Sequence, residues 1–212
     1  VNDSIAVVGI QYSGLYVTHD YGSTWTHIPT LEVDGISTIH DFDSPGGNVI
    51  YFCGVKAFWS PFGSSYMGRS FDQGLTWEVI PINNSQNASV LCFIDQQEGW
   101  VNGSGAIYHT TNGGNTWEFQ AYTSGSTSMG FVDNLHGWAS GSSAGIYGTV
   151  DGGQTWNQQA YTKIGNTIAA LAAINDTLAL ISIGNQLFRY HDSPYAVTTC
   201  QSTSSISESK TT

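Results

Sequence analysis

The sequence has very few basic residues. Its 212 residues include only five Lys and Arg against 16 Asp and Glu, so the formal net charge is -11. A nucleic-acid interface needs clustered Lys and Arg that neutralise phosphates, and attraction to an anionic lipid surface needs the same charges. We therefore expect neither nucleic acid nor a membrane surface as a partner.

Long apolar runs and recognisable metal-ligand spacings are also lacking. No run approaches the roughly 20 apolar residues of a membrane-spanning helix, so we expect no membrane insertion. The chain opens at Val1 without a signal peptide, which is expected of a mature chain or a fragment. The six His show no HxH or HExxH spacing. The odd set of Cys53, Cys92 and Cys200 leaves the disulfide state open. We expect no metal and no cofactor.

What the chain does contain is a repeated turn. The pattern Ser/Thr-x-Asp/Asn-x-Gly-x-Thr-Trp, called the box below, occurs four times, with Trp-to-Trp intervals of 52, 40 and 39 residues. Asp or Asn accepts bonds from backbone N–H groups two residues on, and Gly permits a positive φ. Thr and Trp are then expected to start the return strand. The predicted structural residues are Asp20, Gly22, Trp25, Asp72, Gly74, Trp77, Asn112, Gly114, Trp117, Asp151, Gly153 and Trp156.

Short strand-like segments surround every box. Repeats two to four have three before the box and one after it, and no segment has a sustained 3.6-residue apolar period. This predicts an all-β fold, a β-propeller of about five four-stranded antiparallel blades. The expected repeats are 1–30, 31–82, 83–122, 123–162 and 163–200, followed by a Ser/Thr-rich tail at 201–212.

The first repeat lacks its opening strand, because only four residues precede Ile5. Either this blade has three strands, or the missing strand lies upstream or on another chain.

The boxes resemble the Asp-box, or BNR, repeat. Gly-Trp-x-x-Gly paired with Ile-Tyr-x-Thr-x-Asp-Gly-Gly-x-Thr-Trp is most similar to the photosystem II stability/assembly factor type, and is clearest at Gly99–Trp117 and Gly137–Trp156. Sialidases, xyloglucan-cleaving glucanases and sortilin-type receptors carry the same box. The resemblance implies a propeller with the boxes at the blade periphery. It leaves function open, because one fold hosts many activities.

The enzymes of these families need groups that this sequence does not supply. The resemblance to sialidases implies three arginines around a carboxylate, whereas the chain has only Arg69 and Arg189. The photosystem type is expected to use an arginine-rich patch, and xyloglucan-cleaving enzymes a cleft between two propellers.

A glycosidase would need two nearby carboxylates, and the candidates outside the boxes are Asp41, Asp43, Asp95, Glu98 and Asp133. Asp43, Asp95 and Asp133 each follow the first strand of a repeat, with Asn175 at the matching place in the fifth, which is typical of turn acceptors. We therefore expect no catalytic residues, and a chain that is not an enzyme.

Two features point to binding outside the cell. Phe58, Trp59 and Phe62 in the longest insertion could stack on a sugar, anchor a protein partner or cover the blade's own edge. Asn-x-Ser/Thr sequons, at which N-linked glycans are attached, begin at Asn2, Asn83, Asn87, Asn102 and Asn175.

We therefore hypothesise a non-catalytic scaffold in a secreted or cell-surface glycoprotein, with a protein partner or self-assembly. The alternatives are a carbohydrate-binding propeller, a photosystem-type assembly factor and a glycoside hydrolase.

Overall fold

The computed structural model describes nine segments of the chain, and every structural statement below concerns them. They are residues 4–10, 14–29, 36–56, 64–123, 128–140, 145–161, 168–183, 186–191 and 201–202. Backbone contacts divide the chain into two compact units, Val1–Gly125 and Ser126–Thr212, where we had expected one domain. Each unit is described by itself.

The first unit contains three antiparallel sheets whose strands pair in chain order. Sheet one has three strands, β1 (Ala6–Ile10), β2 (Gly14–Thr18) and β3 (Thr26–Ile28). Sheet two has β4 (Ile36–Gly46), β5 (Val49–Lys56), β6 (Ser64–Ser70) and β7 (Glu78–Gln86). Sheet three has β8 (Ala88–Phe93), β9 (Gly99–Gly103), β10 (Ala106–Thr110) and β11 (Glu118–Tyr122).

The second unit contains two four-stranded antiparallel sheets. Sheet four has β12 (Ser128–Phe131), β13 (Gly137–Ser140), β14 (Gly145–Thr149) and β15 (Asn157–Tyr161). Sheet five has β16 (Ile168–Asn175), β17 (Leu178–Ile183), β18 (Gln186–His191) and β19 (Gln201–Ser202). The described residues form no helix, so the all-β prediction and the four-stranded antiparallel units are confirmed.

Two boundaries differ from the sequence analysis. Residues 83–86 complete β7, whereas we had placed a repeat boundary between 82 and 83, because the strand pairing continues to Gln86 opposite Ser64. The last described strand, Gln201–Ser202, falls inside the predicted tail. Residues 192–200, which include Cys200, lie outside the described segments.

The Gly-Trp pairs at the start of β9 and β13 have a packing cause. Gly99 pairs with Phe93 of β8, and Gly137 pairs with Phe131 of β12. A Cβ on either glycine would lie 2.6 Å and 2.7 Å, respectively, from the phenylalanine ring opposite. In sheets three and four, the phenylalanine of the first strand therefore packs over a glycine of the second strand, where a side chain would not fit.

All four boxes form the same hydrogen-bonded turn. In the second box the Ser70 hydroxyl donates to Asp72 Oδ1 at 2.8 Å and accepts from the Gly74 N–H at 2.8 Å. Asp72 also accepts from the backbone N–H and the hydroxyl of Thr76. Equivalent bonds occur around Asp20, Asn112 and Asp151.

The structural role of the boxes follows from this shared turn. One detail of our prediction is wrong. We had expected the Asp or Asn side chain to accept from the N–H two residues on, but it accepts from the N–H four residues on, and the Ser/Thr hydroxyl accepts the N–H of the box glycine.

Two consecutive left-handed residues reverse the chain in each box. The box glycines Gly22, Gly74, Gly114 and Gly153 have φ between 83° and 89°, as predicted from their turn role. The residue before each is also left-handed, and here two boxes use side-chain-bearing residues, Tyr21 at 59° and Gln73 at 65°. The other two boxes use Gly113 and Gly152. In those two, a Cβ would lie 2.9 Å and 2.8 Å from the carbonyl oxygens of Gln96 and Asn134.

Each box is fastened to its own sheet by one further backbone bond. The N–H of the first left-handed residue donates to a carbonyl in the turn between the first and second strands. Gln73 donates to Asn48 at 2.9 Å, and Gly113 donates to Gln97 at 2.8 Å. Gly152 donates to Leu135 in the same way, and Tyr21 donates to Ser4 just before β1. The box thus joins the turn after a sheet's third strand to the turn between its first two strands, which lies at the same end of the sheet, and in sheet one to Ser4, just before β1.

The box tryptophans lie one residue before the return strands, so the prediction that they start those strands is wrong. Trp117 and Trp156 occupy equivalent places, edge-on to Phe93 at 6.1 Å and Phe131 at 5.8 Å. Trp77 instead packs on Phe52 at 5.2 Å and donates its indole N–H to the Gly74 carbonyl. Trp25 belongs to the three-stranded sheet and is 44% exposed.

We expect Ser70→Ala to lower the free energy of unfolding by about 1–3 kcal/mol, because it leaves the buried Gly74 N–H without its acceptor. Ser70→Thr is the matched control, since the other three boxes carry Thr there, and it should change stability by less than about 1 kcal/mol. Urea unfolding measures both. Equal destabilisation by the two variants would contradict the role of the hydroxyl.

Candidate functional site

The first unit has a groove where sheets one and two meet. Its volume is about 220 Å³. The lining comes from the start of β1, from β4 and from one residue of β5, and comprises Ile5, Ala6, Val7, Phe42, Asp43, Ser44 and Ile50. Apart from Asp43 and Ser44 the lining residues are apolar, so the groove is mainly a hydrophobic surface.

The apolar wall is continuous with the core of sheet one. Ile5, Val7 and Phe42 pack against a buried cluster formed by Leu15, Val17, Ile28 and Phe52. Gly9 of β1 approaches β4 closely, since a Cβ there would lie 3.2 Å from Ile39. The groove is thus held by packed strands on both sides and is part of the rigid sheet structure.

Asp41 and Asp43 project from β4 towards β8. Asp41 Oδ2 accepts the Leu91 N–H at 2.9 Å, and Asp43 Oδ2 accepts the Phe93 N–H at 2.5 Å. The other oxygen of each carboxylate accepts the N–H of its own next residue, Phe42 or Ser44. Each carboxylate therefore joins two backbone N–H groups of adjacent sheets.

Burial raises the pKa of both carboxyls. Desolvation is the largest cause for Asp41, opposed by the bonds from Leu91 and Phe42, and the nearby Asp43 charge raises its pKa further. Desolvation also dominates for Asp43, opposed by the bonds from Phe93 and Ser44. Raised carboxyl pKa values are common at catalytic sites, but here the same oxygens have structural partners.

The position of Asp43 differs from our expectation. It lies inside β4, opposite Tyr51, because register shifts lengthen this strand to Gly46. Asp95 and Asp133 lie in the turns after the first strands of their sheets, and Asn175 is the last residue of β16. The Oδ1 atoms of all three accept backbone N–H groups of the turn that follows the strand. The turn-acceptor prediction is confirmed for these three and wrong for Asp43.

The remaining charged candidates have local partners. Arg69 lies between boxes, with its guanidinium bonded to Glu78, to the Gly113 carbonyl at 2.8 Å and to Asn115. Glu98 faces His109 at 3.1 Å, and Trp100 stacks on that imidazole. His19, beside the first box, bonds the Gln73 carbonyl of the next box. Arg69 and His19 thus link successive sheets, a role the sequence analysis missed.

The predicted binding residues Phe58, Trp59 and Phe62 lie outside the described segments. So does Asn2, and the side chain of Asn83 is not described. Asn87 and Asn175 are exposed at turns. Asn102 is 1% exposed and its amide donates to Thr123 at 3.2 Å, so it cannot carry a glycan in this fold, and that part of the sequon prediction is wrong.

Metal-binding groups and membrane-spanning helices are absent from the described segments. These residues contain no group of three or more His, Cys, Asp or Glu side chains placed to hold a metal ion. In the same segments, no helix is long and apolar enough to cross a membrane.

Solved structures establish the fold class. The chain is similar to "YCF48 bound to D1 peptide" (TM-score 0.61, 18% identity, 89% of this chain and 60% of that one). It is also similar to YCF48 from Cyanidioschyzon merolae (TM-score 0.64, 18% identity, 94% and 67%). An ancestral GH74 enzyme matches with TM-score 0.65 and 15% identity over 96% of this chain but 31% of that one.

These similarities show the fold alone, that of a β-propeller, and so confirm the predicted fold class. The chain spans about 60% of the length of the first of these structures and less than a third of the GH74 enzyme. No protein-family model and no curated protein sequence matches the chain.

We expect Asp43→Ala to lower the free energy of unfolding by about 2–4 kcal/mol, because it leaves the N–H groups of Phe93 and Ser44 without acceptors. Asp43→Asn keeps one carbonyl oxygen, so its effect should be about half as large. Thermal and urea unfolding measure both. If Asp43→Ala unfolds like the unsubstituted chain, the proposed link between sheets is contradicted.

Proposed function

We infer that this chain is a non-catalytic, Asp-box-type propeller module that binds a protein partner as a scaffold. The observation that carries this proposal is the use of its buried carboxylates. In Asp41 and Asp43, two largely buried carboxylates of β4, both oxygens accept backbone N–H groups of β4 and β8. A glycosidase needs one such group protonated towards the substrate and the other free to act as base or nucleophile.

Other acidic side chains have similar local roles. Asp95 and Asp133 bond the N–H groups of their own turns. The box carboxylates are strongly stabilised as anions. Hydrogen bonds from Thr24 and Thr18 lower the pKa of Asp20 to about 2. For Asp72 and Asp151 the bonds from box hydroxyls outweigh desolvation and lower the pKa. A group of this kind is a poor proton donor near neutral pH.

Support for a protein partner comes from the fold and the surface. One structural neighbour is recorded with a bound peptide. In this chain the groove beside β1 is apolar, and the edge of β1 exposes Val8 and Ile10. Apolar patches bounded by polar residues are typical of protein-binding surfaces.

A carbohydrate-binding module is the second candidate, and one observation favours it. Phe119 and Tyr122 on the edge strand β11 are 49% and 82% exposed, with ring centroids 4.8 Å apart. Aromatic rings on a surface can stack on sugars. The two planes are inclined by 54°, however, so they do not form one flat platform.

We further propose that the module belongs to a secreted or cell-surface glycoprotein. Asn87 supports this, because it is exposed and lies between β7 and β8, where its φ of 52° is left-handed. Asn175, the last residue of β16, is likewise exposed.

Expression through a eukaryotic secretory pathway tests this setting. We expect a glycan at Asn87 and none at the buried Asn102, read by mass spectrometry of peptides before and after enzymatic deglycosylation. Asn87→Gln is the control that should remove one glycan from the mass. Secretion of a folded chain with Asn87 unmodified would count against the proposal.

Protein binding is tested by selecting peptides from a random phage-displayed library on the immobilised 212-residue chain. We expect enriched peptides with dissociation constants of about 1–100 μM, which is usual for short extended segments. A glycan array and a hydrolysis assay on xyloglucan and other β-glucans form the comparison. Specific glycan binding without peptide enrichment would favour the second candidate. Hydrolysis that Asp41→Asn or Asp43→Asn abolishes would overturn the non-catalytic proposal.

A further inference from the structure

We propose that Asn112, in the third box, is a deamidation site of the folded chain. Transient opening of that box lets the backbone nitrogen of Gly113 attack the Asn112 side chain, which becomes Asp or isoaspartate. The proposal goes beyond partner binding and does not depend on which partner the chain has.

The sequence contains two Asn-Gly pairs, Asn102-Gly103 and Asn112-Gly113. Deamidation is fastest where Gly follows Asn, because a residue without a Cβ leaves the attacking nitrogen the most conformational freedom and the least crowding. Both asparagines therefore have the same intrinsic chemistry. A difference between their rates in the folded chain reports a difference between their surroundings.

Packing explains why a glycine follows Asn112. Gly113 has a left-handed φ of 66°, and a Cβ there would lie 2.9 Å from the Gln96 carbonyl oxygen. In the first two boxes the same place is taken by Tyr21 and Gln73. The third box therefore needs glycine for its close approach to the turn between β8 and β9, and this need creates a labile pair.

Hydrogen bonds hold both reacting groups in place while the box is closed. The Gly113 N–H donates to the Gln97 carbonyl at 2.8 Å. Asn112 Oδ1 accepts from the Thr110 hydroxyl at 3.0 Å and from the Thr116 N–H at 2.9 Å, and its amide donates to the Thr116 hydroxyl at 2.8 Å. Attack requires the nitrogen and Cγ to meet in an aligned geometry. These bonds must therefore break before the reaction begins.

The two asparagines differ in how much structure must open. Asn102 is 1% exposed, and its strand β9 is paired on both edges, with β8 and with β10. Asn112 is half-buried in the turn between β10 and β11, and the bonds that hold it come from the residues of that turn. Opening a turn costs less free energy than opening a central strand. We therefore expect the folded chain to react at Asn112.

The reaction balances with water as its one co-reactant. The Gly113 nitrogen loses its proton and bonds to Asn112 Cγ, ammonia leaves, and a cyclic succinimide forms. Water then opens the ring. Opening at Cγ gives Asp, whereas opening at the backbone carbonyl carbon gives isoaspartate, in which the main chain runs through the former side chain. Nothing is oxidised or reduced.

The two products have opposite effects on the box. An Asp product fits the turn, because the other three boxes have Asp there and it accepts the hydroxyl of the Thr four residues on. Isoaspartate adds a carbon to the main chain, so the bond from the Gly114 N–H to the Thr110 hydroxyl loses its geometry. Arg69 donates to the Gly113 carbonyl at 2.8 Å and to Asn115. Isoaspartate therefore loosens the junction of sheets two and three, and Asp preserves it.

The test follows ammonia loss at both asparagines of the 212-residue chain at mildly alkaline pH, with and without urea. Peptide mass spectrometry reads the replacement of NH₂ by OH, and protein isoaspartate methyltransferase reads isoaspartate. In the folded chain we expect Asn112 to react at least about tenfold faster than Asn102. In urea the two rates should agree within about threefold, and both should exceed the rates of the folded chain.

Variants at Thr116 test whether opening of the box limits the rate. Thr116→Val removes the acceptor of the Asn112 amide and should speed the reaction there about two- to tenfold, the effect of one hydrogen bond on the open population, without changing Asn102. Thr116→Ser keeps the hydroxyl and should stay within about twofold of the unsubstituted chain. Asn112→Asp should abolish ammonia release at this position and unfold in urea like the unsubstituted chain.

Three results would overturn the proposal. Equal rates at Asn112 and Asn102 in the folded chain would show that both wait for unfolding of the whole unit. No reaction at Asn112 in the folded chain would show that the box does not open on its own. An unchanged rate in a folded Thr116→Val variant would show that the box bonds do not control access. If that variant does not fold, the comparison of the two asparagines decides alone.

Discussion

The hydroxyl at the first box position is the group on which the repeated architecture depends. In each box it donates to the Asp or Asn side chain and accepts the N–H of the box glycine, which closes the turn between the third and fourth strands. Asn112 replaces Asp without changing these bonds, so the requirement is an oxygen acceptor, and the charge is dispensable. The box therefore stabilises a backbone turn. Its recurrence indicates the fold and leaves function open.

Neighbouring sheets within each unit are joined by a second device, a side-chain oxygen that accepts a backbone N–H of the next first strand. Asp41 and Asp43 do this for β8, and Ser128 does it for β16. Burying a hydroxyl does not require the desolvation of a charge. Burying the two carboxylates does, and this raises their pKa values. The perturbed pKa values thus have a structural origin, and by themselves they do not indicate catalysis.

The local fold could be predicted from the sequence because its signals are local. The box, the alternating segments and the three-stranded first repeat all depend on residues within a few positions of each other. Asp43 was misplaced because the bulges that extend β4 have no sequence signal. Asn102 was misjudged because its amide bonds Thr123, which follows β11 and lies 21 residues further along the chain. The roles of Arg69 and His19 depend on boxes more than 40 residues away, a distance at which one sequence gives no pairing information.

The same reasoning explains why the candidate site lies where the repeat fails. A repeat protein buries each unit's apolar strands against the neighbouring unit, so an incomplete repeat leaves a surface with the composition of an interior. β1 is such a surface, since its sequence matches the buried strands β5 and β9 in character but its side chains are exposed. The groove beside it shares an apolar wall with the core of sheet one. The box of sheet one closes the turn between β2 and β3 and, through the bond from the Tyr21 N–H to the Ser4 carbonyl, holds the start of β1 beside that turn.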